Sequence, residues 1–76
     1  MEHLVIAEYR YGRYWVTLSE IRNTAGESIM YVVNTSLTGK MSYTARDGGK
    51  EKASECFNIM RYNAYIVEHY CGVKRR

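Results

Sequence analysis

The sequence predicts an α+β fold, an antiparallel β-meander of three to four strands with one C-terminal helix packed on one face. Three observations predict it. In segment 50–71, Cys56, Phe57, Met60, Ala64, Val67 and Cys71 all fall within one arc of about 100° on a helical projection that starts at Ala53. The runs 4–11 and 14–22 are rich in β-branched and aromatic residues and are parted by Gly12-Arg13. The run 28–34 carries Ile29, Met30, Tyr31, Val32 and Val33 in succession, which leaves no polar side.

The first two runs form a hairpin whose register follows from its turn. Glycine first in a two-residue loop suits a tight hairpin turn, and it places Tyr11 opposite Tyr14, Tyr9 opposite Val16 and Ala7 opposite Leu18 on one face. Regular alternation then gives Arg10–Trp15, Glu8–Thr17, Ile6–Ser19 and Leu4–Ile21 on the other, with Arg10 in position for a cation–π contact on Trp15. Asn23, Thr24, Ala25 and Gly26 signal the next turn, and 28–34 reads as a central or doubly covered strand. Thr38-Gly39 offers a further turn, with 41–45 as an optional fourth strand that puts Met41, Tyr43 and Ala45 on one face. Asp47 is placed to cap the helix, Gly48, Gly49 and Lys50 lead into it, and Gly72 lets the chain leave it. Residues 64–70 are rich enough in Tyr, Ile and Val to form a final strand instead; the unbroken apolar stripe favours the single helix.

A chain of 76 residues is read as one domain, 1–76, ending in a basic tail at 73–76. The start lacks the basic lead and apolar core of a signal peptide and no segment is apolar for long enough to span a bilayer, so a cytoplasmic location without membrane contact is expected. The two cysteines, Cys56 and Cys71, would lie about 22 Å apart along one helix axis, beyond the reach of a disulfide. Both read as small buried hydrophobes.

Catalysis and metal binding find no support in the residue pattern, and neither a cofactor nor a small-molecule substrate is expected. His69 and Cys71 project about 160° apart on a helix, too far round to act as a pair. Zinc spacings are missing, and Gly48-Gly49-Lys50 lacks the first glycine and the hydroxyl of a phosphate loop.

Two surfaces emerge as candidates for binding. One helix covers one sheet face, so Leu4, Ile6, Arg10, Trp15 and Ile21 on the opposite face are left as a protein-binding or homodimer surface. On the helix, Asn58, Tyr62, Tyr65 and His69 form a second stripe opposite the apolar arc, with Arg61 beside it. The expected function is therefore a non-enzymatic module that binds another protein, such as an adaptor or an inhibitor of a larger enzyme of the kind carried by phages and mobile elements, a size-class expectation.

The alternative is a small basic nucleic-acid-binding domain. Arg10, Arg13, Trp15 and Arg22 on the sheet and hairpin tip, with Lys74, Arg75 and Arg76 in the tail, supply cations and a stacking surface. The net charge of +3 is concentrated in that tail, and Glu2, Glu8, Glu20 and Glu27 are spread over the same strands. The layout of a small sheet with a terminal helix is similar to that of some minimal DNA-binding domains of integrases, and no motif accompanies the likeness.

Overall fold

The computed structural model describes residues 2–36 and 39–66. Four strands, β1 (Glu2–Tyr11), β2 (Tyr14–Arg22), β3 (Ser28–Thr35) and β4 (Gly39–Thr44), form one antiparallel sheet in the order β1-β2-β3-β4. The helix α1 (Gly49–Ile66) lies across one face, against β2 and β3 above all. The fold is thus the α+β meander with a C-terminal helix that the sequence predicts, with the fourth strand present. The helix begins one residue earlier than expected, and residues 64–66 continue it; its expected extension to 71, and the alternative final strand beyond 66, lie outside the described residues.

The hairpin keeps its predicted register for its first half. Tyr11 pairs with Tyr14, Arg10 with Trp15, Tyr9 with Val16, Glu8 with Thr17 and Ala7 with Leu18. Gly12 takes a φ of 62° and Arg13 does not, as a II′ turn requires. Beyond Ala7 the predicted pairing fails, because β1 inserts one extra residue, Ile6, as a β-bulge. Val5 then faces Ser19 and Leu4 faces Glu20, in place of Ile6–Ser19 and Leu4–Ile21. Leu4 therefore stands on the helix side of the sheet and not on the open side.

The core lies between α1 and the helix side of the sheet. Val16 and Val33 are fully buried at its centre, joined by Leu18, Tyr31, Ala53, Cys56 and Phe57, with Tyr9, Met41, Tyr43 and Met60 packed at its margins. Ala53, Cys56, Phe57 and Met60 are the described part of the predicted apolar arc. Tyr31 and Val33 point into this core, which removes them from the open face.

Turn chemistry fixes the connections. Asn23 Oδ1 accepts the N–H groups of Ala25 at 2.9 Å and Glu27 at 3.0 Å, and Gly26 adopts a φ of 84°. At the helix start, the Gly48 carbonyl accepts the Lys52 N–H at 3.0 Å, so Gly48 and not Asp47 occupies the N-cap position. Asp47 and Gly48 are both left-handed, with φ of 55° and 74°, a reversal that swings the chain from the edge of the sheet onto its face.

Candidate functional site

Alternation along the strands sorts the open face into four rows. They are Arg10–Trp15; Glu8–Thr17–Asn34–Lys40; Val5–Ser19–Val32–Ser42; and His3–Ile21–Met30–Thr44. Trp15 and Ile21 stand where the sequence places them, both half-buried, while Ile6 sits in the bulge and is 46% exposed. What separates the expected surface from the observed one is the loss of Leu4 and the addition of Asn34, Lys40 and Ser42. The face is mixed and largely hydrogen-bonding. Thr17 and Ser19 follow from the predicted hairpin; Asn34, Lys40 and Ser42 needed the β3 and β4 registers, which no turn motif specifies.

This face is dished. Ser19 and Val32 are only 4% and 6% exposed although no described element lies over them. They floor a depression of about 360 Å³ rimmed by His3, Val5, Thr17, Ile21, Asn34 and Lys40. Trp15 is fixed beyond one end of it. Its N–H donates to Ser36 Oγ at 3.1 Å and its carbonyl accepts the Ser36 N–H at 3.1 Å, which ties β2 to the end of β3.

The charges are distributed unevenly between the two faces. Glu8 is the single carboxylate in the open-face rows, and it is paired with Arg10 at 3.2 Å. That ion pair replaces the expected stacking of Arg10 on Trp15; the recorded cation–π pair is Arg61 over Tyr9, 6.0 Å from the ring centroid. Glu2 faces Arg22, and Glu20 faces Leu4 and Tyr31, all on the helix side. Arg22 accordingly belongs to that side as well, on the opposite face of the sheet from Arg10 and Trp15.

Glu20 is a nearly buried carboxylate with all its partners present. It accepts the Ser28 hydroxyl, the Tyr31 hydroxyl at 3.3 Å and the Arg22 guanidinium at 3.0–3.1 Å. The Ser28 hydrogen bond, with the charge and hydrogen bond of Arg22, holds its carboxyl below the usual carboxylate range against the opposing effect of burial. Across the core, Tyr43 is raised above the ordinary phenol value by the adjacent Cys56 thiol and by desolvation.

Arg13 is exposed at the hairpin tip. On the outer side of α1, Asn58, Arg61 and Tyr62 are exposed, Tyr62 by 65%, and Ile59 beside them is 54% exposed. The Tyr65 side chain, His69, Lys74, Arg75 and Arg76 lie outside the described residues. Among the described residues no group of three or more His, Cys, Asp or Glu is placed to hold a metal ion, and no helix is long and apolar enough to cross a membrane.

Comparison with protein-family models, curated proteins and solved structures returns no match.

Proposed function

We propose that this protein is a non-enzymatic module that binds single-stranded nucleic acid on the open, dished face of its sheet. The observation that carries this reading is the segregation of charge: the carboxylates Glu2 and Glu20 face the helix side, and the one carboxylate in the open-face rows is neutralised by Arg10. The repulsion that Glu2, Glu8 and Glu20 would exert on a phosphate backbone is thereby largely removed from this face. A shallow trough edged by Lys40, with Thr17 and Asn34 as hydrogen-bonding groups and Trp15 beyond its end as a stacking surface, suits a strand lying along it. A concave face favours a single strand over a duplex, because reading a groove calls for a convex element that enters it.

The test is binding of fluorescent oligonucleotides of about 12 nucleotides, single-stranded and duplex, measured by anisotropy against salt. With two phosphates neutralised by Lys40 and Arg13, affinity for the single strand falls roughly 7-fold between 50 and 200 mM salt. Lys40→Gln flattens that dependence. Absence of single-strand binding at low salt, or equal preference for the duplex, overturns the reading.

A protein partner is a second reading, supported by the 65% exposure of Tyr62 on the outer side of α1. An interface of that kind would respond little to salt, so the same titration separates the two.

A further inference from the structure

We infer that the chain pairs with a second copy of itself along the outer edge of β4, in an antiparallel ladder centred on Ser42. The two four-stranded sheets then become one, with both helices on the same side. This inference does not depend on the nucleic-acid reading.

Among the described residues the sheet has two outer edges, and they differ. β1 carries the bulge at Ile6 together with Glu2, Glu8 and Arg10, devices that discourage a further strand from adding. β4 pairs with β3 residue for residue from Gly39 to Thr44 without interruption, and Lys40 is its one charge. A straight, nearly uncharged edge is a template for another strand.

Which main-chain groups point outward can be read from one bond. The Ala45 N–H donates to the Ile29 carbonyl at 3.1 Å, so residue 45 turns its main chain toward β3. Bonded and non-bonded pairs alternate along an antiparallel ladder, so Tyr43 and Met41 do the same, and Lys40, Ser42 and Thr44 turn theirs outward.

Outward groups must meet outward groups, which leaves few registers. Centred on Ser42, Ser42 meets its own copy and Thr44 meets Lys40 of the second copy. Met41 then faces Tyr43 of the second copy on the helix side, in the closer, non-hydrogen-bonded pairs. The two lysines stand about 13 Å apart along the strands, beyond the Debye length of about 8–10 Å. Centring on Met41 halves that separation and sets Tyr43 against Gly39; centring on Lys40 puts like charges face to face.

The adjoining surface matches a second copy. Met41, Tyr43, Cys56, Ile59 and Met60, with one cation and one carboxylate from Lys52 and Glu55, line a shallow, mainly apolar depression of about 360 Å³ beside β4, where the 54% exposure of Ile59 is a cost in water. In the Ser42-centred pair the Met41 and Tyr43 side chains of each copy lie against this shelf on the other.

The test uses light scattering on the full chain together with Ser42→Pro. The Ser42 N–H points outward, so proline there takes no bond from the ladder with β3 and removes the central bonds of the pair. The expected result at about 100 μM is a mass twice the 8.9 kDa of one chain for the parent and a single-chain mass for the variant, with unchanged far-UV circular dichroism. Ser42→Cys, oxidised in solution, yields a covalent pair, because residues opposite in a bonded pair have Cα atoms about 5.5 Å apart. Should Ser42→Pro unfold, the cysteine variant decides. A parent that keeps a single-chain mass up to about 1 mM, a dimeric and folded Ser42→Pro, or a dimeric Ser42→Cys that forms no disulfide overturns the inference.

Discussion

Gly49 stands so close beneath the carbonyl of Thr44 that a β-carbon on it would sit 1.6 Å from that oxygen. The first turn of α1 is thereby seated on the end of β4, and the helix can approach the sheet this closely because residue 49 has no side chain. Helix propensity alone favours alanine over glycine by up to about 1 kcal/mol. The contact reverses the sign: Gly49→Ala forces main chain against main chain and costs about 2 kcal/mol or more, lowering the melting temperature by about 10 °C. A thermal melt followed by circular dichroism that shows stabilisation would contradict this seating.

Glu20 gives the fold an acid-sensitive joint between β2 and β3. Its folded-state pKa is held below the ordinary 4.5, so its ion pair and hydrogen bonds contribute fully above that value and are lost as pH falls through the folded pKa. The difference in melting temperature between the parent and Glu20→Gln should be largest near neutral pH and shrink progressively below pH 4.5. A difference that stays constant down to strong acid would show that Glu20 is not ionised in the folded state.

Asn23 organises the β2–β3 turn through a single oxygen that accepts two N–H groups. Asn23→Ala should cost about 1 kcal/mol, or about 5 °C, while Asn23→Asp, which keeps the acceptor but sets a carboxylate oxygen where Nδ2 donates to Glu27 at 3.4 Å, should recover only part of that loss. Equal losses in the two variants would locate the effect elsewhere than at that oxygen.

Deleting Ile6 should restore a regular β1–β2 ladder without moving any other side chain to a new face, since Val5 already faces Ser19 and Ala7 already faces Leu18. The folded state should persist, with a melting temperature within a few degrees of the parent. What changes is the edge: a straightened β1 associates, visible as a scattered-light mass that keeps rising with concentration past that of two chains, where the parent stops at two. A deletion that unfolds the chain would show that the bulge is needed for the twist of the sheet.

Much of this architecture is legible in the residues because turn chemistry and periodicity agree. Gly12 sets the hairpin register as far as Ala7, and Ala53, Cys56, Phe57 and Met60 mark the helix face that the core uses. The bulge is illegible for a physical reason. It falls within Leu4, Val5, Ile6 and Ala7, four apolar residues in a row, where shifting the pairing by one residue changes no pattern of polarity. The composition of the open face was misjudged through the same residue, since the extra position carries Leu4 across the sheet. Glu20 was equally hidden. A glutamate in a strand reads as solvated until the Ser28, Tyr31 and Arg22 partners that satisfy it are brought together by the β3 register. The helix starts one residue before the expected position, and Gly48 rather than Asp47 caps it because Asp47 itself takes the left-handed backbone, a conformation its usual capping role does not foretell.

The unequal flanks of this sheet bear on how far it can grow. A layer with two receptive flanks can recruit neighbours without end and lengthen into a ribbon, whereas a layer with one receptive flank exhausts it in the first union. The kink at Ile6 would then act as a stop as well as a bend: a pair joined at β4 would carry blunted rims at both extremes and close at two.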